Sequence, residues 1–571
     1  MARKVHPIHL KLYFCSRNVY LLNPCRPPSG TKLVRDRSTW GEEGMPVTST
    51  SAVTGESALT SGAPSVSDLL NEAPRSKFHR RTVLVSGVGF FTDAYDLFVI
   101  STVAALVGTQ WRLSTLQTSW VTGSAILGAF FGALIFGRLA DVFGRKKVYT
   151  VVAGIMIVGA LASAFAPGFM WLVIARFVLG LGIGGDYPVS AVLMSEYSNR
   201  KDRGRLVGMV FSMQALGLIV GPLVGLVLLS SGINHELTWR IMLGLGAIPA
   251  AGVIYLRAKM PESPRFKSQV QGKADQAGED IASYSAGVVE APIGSVQTTQ
   301  RLGIGQFLRN RRMLLLLTGT AGSWFLFDYA YYGNTLSLPA ILKEVDATAS
   351  LETKLLWTLG IFLVFAVPGY VVAVMTMDRI GHRRLQFIGF AVMAGAFLTL
   401  AGFAHLTTMV VPFLAIFGLS YFFVEFGPNM TTFVLPSEVF PVSMRTTGHG
   451  IAAGVGKLGA FLGVFLVPQL QRHYGLRGML AIAGFAAILG FALTRILPEP
   501  ARRNLEDMHG EFDAPRSSPP QISPPQISRA FDDAQSALPL IVQQSPDVHA
   551  DVPGGQAGTV RQNSRTLTDS V

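Results

Sequence analysis

The sequence predicts an all-α polytopic membrane protein of twelve helices in two six-helix halves. Apolar runs of about 20 residues, the length a helix needs to cross a bilayer, recur along the chain. Of its 571 residues 49% are hydrophobic and only 15% charged, whereas soluble domains carry about a quarter charged. A loop motif of the first half also returns in the second. Such internal symmetry is expected where two similar bundles rock about a central site.

Residues 1–81 precede the first run and are expected to form a disordered cytoplasmic extension. Its one weakly apolar piece, His6–Leu22, is interrupted by Lys11 and Arg17. Cys15 and Cys25, the only cysteines, lie in this head, so the core has neither a disulfide framework nor a cysteine metal site. Six runs follow within 82–256: Thr82–Val107, Leu116–Ile135, Val148–Phe165, Met170–Met194, Leu206–Leu229 and Trp239–Leu256. Residues 257–312 are polar without periodicity and read as a flexible cytoplasmic linker with helical fragments. The second half, 313–495, holds Met313–Leu338, Leu355–Met375, Leu385–Phe403, Met409–Leu435, Gly448–Leu470 and Leu476–Leu493. The Pro-, Ser- and Gln-rich stretch 496–571 reads as a disordered cytoplasmic tail.

Loop charge gives the orientation. Arg138, Arg145, Lys146 and Lys147 follow the second run, Arg200, Lys201, Arg203 and Arg205 the fourth, and Arg379, Arg383 and Arg384 the eighth. Glu344 and Asp346 lie in a loop of the other side. The base-rich loops and both termini are therefore expected in the cytoplasm. The formal charge of +13 follows from this topology and gives no reason to invoke nucleic acid.

The repeated loop runs from Gly137 to Lys147 and echoes at Asp378–Arg384. Asp141 and Asp378 are 237 residues apart, as are Gly144 and Gly381. Ser195–Glu196 pairs with Ser437–Glu438, and Arg203 with Arg445, at an offset of 242. Glycine suits a tight turn and the aspartate can accept hydrogen bonds at a helix N-terminus.

Polar groups inside apolar helices are costly and mark function. Asp186 follows the glycines of 180–185 and precedes Pro188, which predicts a local break in the fourth helix. Asp93 and Asp96 are three apart on one helical face, where two carboxylates resist ionising together, as suits a proton carrier. Gln214 either bridges helices or donates to a ligand. Trp324, Asp328 and Tyr332 recur every four residues as one polar wall, and Glu425 and Asn429 are spaced likewise. Lys457, set among glycines, needs an anion, from a helix carboxylate or from substrate. One deep lysine, neutral donors and surplus carboxylates suit a small oxyanion with hydrogens of its own. No phosphate-cradling ATP loop occurs, so an ion gradient is the expected energy source, with neither cofactor nor metal, and the chain is expected not to be an enzyme. The residues alone leave an organic-acid or sugar porter, and a non-transporting membrane sensor, as alternatives.

Segment 137–147 resembles the loop signature of the major facilitator superfamily. Gly184-Gly-Asp-Tyr-Pro188 leading to Met194-Ser-Glu196 resembles the narrower phosphate:proton symporter family, and the likeness extends through Phe91–Asp96, Gln214, Trp324, Asp328, Tyr332, Asn429 and Lys457, over roughly 82–500. The resemblance implies a twelve-helix major facilitator fold, and the plasma membrane is the expected location. It implies inorganic phosphate bound by Tyr187, Gln214, Trp324, Asp328, Tyr332, Asn429 and Lys457. It implies proton coupling through Asp93, Asp96 and Asp186. Structural or gating roles are expected for Arg138, Asp141, Arg145, Arg176, Glu196, Glu438 and Arg445. The partners expected are phosphate, protons and the lipid bilayer, with no nucleic acid and no obligate protein partner.

Overall fold

The computed structural model describes residues 66–258, 260–285, 303–505 and 508. The head with Cys15 and Cys25 lies outside the described residues, as does the tail beyond 508.

The first four spans are Lys77–Gln110, Thr115–Phe143, Arg145–Ala164 and Phe169–Tyr197. The fifth is broken at Met213 into Arg203–Ser212 and Gln214–Ser230, and the sixth at Gly246 into His235–Leu245 and Ala247–Ala258. In the second half Arg311–Leu336 is followed by Leu351–Ile380, which carries a π-helical turn at Phe362–Ala366. The ninth span is His382–Gly402, and the tenth divides into Val410–Phe426 and Pro428–Val439. The last two share the helical stretch Arg445–Thr494, kinked at Gly475, whose φ of 68° is non-helical.

Ten helices among the described residues are long and apolar enough to cross a membrane, the last of them holding two spans. Arg311–Leu336 is not among the ten. Its Trp324, Asp328, Tyr331, Tyr332 and Asn334 dilute its hydropathy, and all five are buried inside the protein. The span that carries the Trp324, Asp328 and Tyr332 wall is thus not recognisable by apolarity.

Three expectations need correction. The fourth helix runs unbroken through Pro188. The extension 1–81 is helical over Val66–Glu72, and the Asn71 side chain accepts from Arg203 and Arg265 at 3.1 and 2.7 Å. The tail does not begin at 496: Leu497, Leu505 and Met508 are buried, and the Arg503 carbonyl accepts from Arg203 at 2.9 Å. In both flanks a few apolar and hydrogen-bonding groups suffice to hold a polar segment against the bundle. Within the expected linker, Pro264–Gln269, Ala274–Ser285 and Ile304–Arg309 are helical.

The repeat is visible in the geometry. Gly144 and Gly381 both adopt φ of 101° and join consecutive spans. Past each, a glutamate accepts from two backbone N–H groups of the next helix. Glu262 takes Arg145 and Lys146 at 3.2 and 3.3 Å, and Glu499 takes His382 and Arg383, both at 3.0 Å. Glu262 and Glu499 are themselves 237 residues apart. A carboxylate there satisfies orphan donors and complements the helix dipole. A Cβ on Gly144 would sit 2.4 Å from Glu262 Oε2. Gly144→Ala should therefore lower stability by about 1–3 kcal/mol, the usual cost of holding a side chain in such backbone. Thermal unfolding of detergent-solubilised protein measures it, and an unchanged midpoint refutes it.

The two halves interlock at the base-rich face. Asp141 accepts from Thr447 N and its hydroxyl, both at 2.7 Å, at the start of the eleventh span. Asp378, its counterpart, accepts from Arg205 N at 2.8 Å, at the start of the fifth. At the opposite end lies a cavity of about 450 Å³, whose lining includes Ser101, Thr118, Thr122, Leu336, Lys343 and Lys354. On the base-rich side the Asp141 and Asp378 contacts join the two halves.

Candidate functional site

Two buried polar clusters face each other across the halves. In the second half, Lys457 Nζ donates to Asp328 Oδ2 at 3.1 Å and to the Tyr332 hydroxyl at 3.0 Å. The same ammonium stands 4.3 Å from the Tyr332 ring centre and 4.5 Å from that of Tyr187, so the first half contributes an aromatic face to the cation. Trp324 packs between Tyr187 and His449, at 6.3 and 5.7 Å between ring centres. Phe433 joins Tyr187, Phe211 and Trp324 in an aromatic floor.

The lysine is already paired, yet the site has spare capacity. Asp328 Oδ1 and both polar atoms of the Gln214 side chain are buried without a hydrogen-bond partner. Each such orphan costs about 1–3 kcal/mol, so a ligand bringing both acceptors and donors is favoured here. Gln214 opens the helical segment after the break at Met213. Asn429 sits just after the break at Gly427 in the tenth span. Tyr187 and Asn429 are 242 residues apart, the offset of the second repeat, and so occupy matching places in the two halves.

The first-half cluster centres on Asp186. Its Oδ2 meets Arg257 Nη2 at 2.9 Å and its Oδ1 accepts from Ser190 at 3.1 Å. Arg257 lies 3.9 Å over the Tyr149 ring. Asp93 stands beside this pair, with both carboxyl oxygens buried and without a hydrogen bond of good geometry. One guanidinium therefore lies near two carboxylates.

Asp93 and Asp96 share the first span, but their neighbours differ. The nearest charge partners of Asp93 are Asp186 and Arg257. Asp96 lies against Gly246, where a Cβ would come within 2.2 Å of Oδ1, and its backbone carbonyl accepts from Arg176. The break in the sixth span thus makes room for a carboxylate of the first. Arg257 went unrecognised in the sequence because it ends an apolar run, where an arginine is ordinarily a cytoplasmic flank.

Six of the residues expected to serve structure or gating gather at the base-rich face. Arg145 pairs with Asp141 at 3.1 Å and Glu196 at 3.2 Å, and reaches the Val442 carbonyl in the other half at 3.0 Å. Arg445 meets Glu196 at 3.5 Å, Arg138 meets Met444 Sδ at 3.2 Å, and Glu438 meets His382 at 3.4 Å. Arg176 is apart from them, with Asp96.

Residues 69–512 match the family described as "Sugar (and other) transporter". Among curated proteins the chain is 37% identical over 517 residues to inorganic phosphate transporter 1-6 of Oryza sativa subsp. japonica, covering 79% of this chain and 96% of that protein. It is 33% identical over 506 residues to the repressible high-affinity phosphate permease of Neurospora crassa, covering 78% and 88%. The chain belongs to the phosphate-transporter family of the major facilitator superfamily. It is a secondary active transporter working by alternating access, and not an enzyme. Its fold matches the proton:xylose symporter XylE bound to 6-bromo-6-deoxy-D-glucose, with a TM-score of 0.65 at 21% identity, covering 77% of this chain and 100% of that one. A partially occluded inward-open form of XylE from E. coli matches with a TM-score of 0.60 at 21% identity, covering 74% of this chain and 99% of that one. At these identities the likeness concerns the fold, and the transporter's site rests on its own residues.

Proposed function

We propose that this transporter takes up inorganic phosphate with protons across the plasma membrane, with both termini in the cytoplasm. The observation that carries the reading is the buried Lys457–Asp328 pair beside the Tyr187 ring, with Asp328 Oδ1 left without a hydrogen-bond partner. Monoanionic phosphate offers oxygens to Lys457 and Gln214 and a hydroxyl to Asp328. Tyr187, Trp324, Tyr332 and Asn429 complete the binding wall. The phosphate-transporting relatives support the choice of phosphate over another small oxyanion.

Coupling falls to Asp93, Asp96 and Asp186. With Arg257 shared by two carboxylates, protonation accompanies loading from the outer cavity. The proton's departure on the cytoplasmic side restores the Asp186–Arg257 attraction and releases the load. Opening inward requires the Asp141–Thr447 and Asp378–Arg205 contacts to part, which gives Arg138, Asp141, Arg145, Glu196, Glu438 and Arg445 their gating role.

Purified protein in liposomes, given labelled phosphate, sulfate, sugars or aromatic acids under an imposed pH gradient, tests this directly. Phosphate should accumulate when the outside is acidic, and uptake should fall as external pH rises, because protons and the monoanion both become scarcer. Accumulation of an organic acid or sugar in preference to phosphate refutes the reading.

A further inference from the structure

Glu425 is the one deep carboxylate of the second half that the scheme above leaves without a task. It is fully buried in the tenth span, and no lysine, arginine or histidine pairs with it among the described residues. Its titratable surroundings are three tyrosines: Tyr331 of the seventh span, Tyr370 of the eighth and Tyr421 one turn earlier on its own helix. Glu425 Oε1 and the Tyr331 hydroxyl face each other without a hydrogen bond of good geometry.

The neighbour that matters is Asn429. One amide hydrogen of Asn429 goes to Glu425 Oε2 and the other to the Tyr370 hydroxyl at 2.8 Å. Both donors of the amide are consumed, and its Oδ1 makes no hydrogen bond among the described residues. An ionised carboxylate can only accept, so it fixes the amide with its NH₂ turned toward Glu425. Asn429 then offers its carbonyl oxygen as its free polar atom, which is the wrong polarity for an anion.

We propose that Glu425 is a proton-binding site of the second half whose occupancy switches Asn429 from acceptor to donor. A protonated Glu425 donates one hydrogen bond. Turning the Asn429 amide over lets Oδ1 receive that proton's hydrogen bond and frees the NH₂ for an oxyanion. No covalent bond changes beyond the O–H formed on Glu425, and the proton leaves when the amide turns back. Binding of the anion and of this proton are thereby mutually favourable, as linkage requires. Glu425 acts through Asn429 and is a positioning residue.

The inference rests on the phosphate reading, and the test separates the two. Wild-type, Glu425→Gln and Glu425→Asp proteins in liposomes are compared by the KM for labelled phosphate as a function of external pH. A glutamine can donate to Asn429 Oδ1 at any pH. The slope of log KM against pH in Glu425→Gln should therefore fall by up to about one unit below wild type, the share of a single linked proton. Glu425→Asp, which keeps a carboxyl, should retain a pH-dependent KM. A Glu425→Gln profile parallel to wild type overturns the inference and leaves the phosphate reading standing. Wild-type liposomes that take up no phosphate overturn both. Should Glu425→Gln fail to fold, the phosphate-induced infrared difference spectrum of wild-type protein decides. Gain of a protonated-carboxyl band together with a shifted side-chain amide band supports the switch, and absence of either overturns it.

Discussion

Replacing Lys457 with alanine should lower kcat/KM for phosphate by about 100- to 1,000-fold, the expected loss when a buried charge partner worth several kcal/mol is removed. Lys457 is 2% exposed and, among the described residues, is the one ammonium in contact with Asp328, Tyr332 and the Tyr187 ring. The single variant also strands Asp328, so a folding defect has to be separated from a binding defect. Lys457→Ala combined with Asp328→Asn removes both charges, and the protein should unfold near the wild-type temperature while still failing to transport. Phosphate uptake at the wild-type rate in either variant sinks the role assigned to this cation.

A second large effect is expected at the other cluster. Asp93→Asn should abolish accumulation driven by a pH gradient while leaving phosphate exchange across the liposome membrane intact. Asp93 pairs with no cation of its own, whereas Asp186 holds Arg257 at 2.9 Å. Asp186→Asn should accordingly do more: it breaks the direct ion pair of Arg257, 1% exposed, and leaves that cation only Asp93 nearby, at a cost of up to about 3–5 kcal/mol of stability. Counterflow and gradient-driven uptake measured side by side distinguish uncoupling from loss of binding. Unchanged gradient dependence in Asp93→Asn rejects it as a proton carrier.

Three buried pairs bridge distant stretches of sequence: Asp186–Arg257, Lys457–Asp328 and Asp141–Thr447. Each joins a residue that could be singled out by sequence to one whose role depends on where the chain returns. Lys457 was conspicuous as a cation among glycines, and Asp328 as a carboxylate on an aromatic stripe; their contact emerges only when the seventh and eleventh spans pack. Arg257 was inconspicuous, because a basic residue at a helix end has an ordinary explanation. Glu262 and Glu499 were legible in principle, since they repeat at the same offset as Gly144 and Gly381, but a glutamate in a polar loop attracts no notice by itself.

By itself the sequence determined the spans, the two-fold repeat and the buried polar set, because apolar length, loop charge and the cost of polar groups in a membrane are local properties. Only the tertiary structure decided which carboxylate holds which cation, that Asp93 looks to Asp186 and Arg257, that Pro188 leaves its helix continuous, and that Glu425 meets Asn429. Those outcomes depend on helix packing, where a partner some 70 to 130 residues away in sequence satisfies or orphans a buried charge.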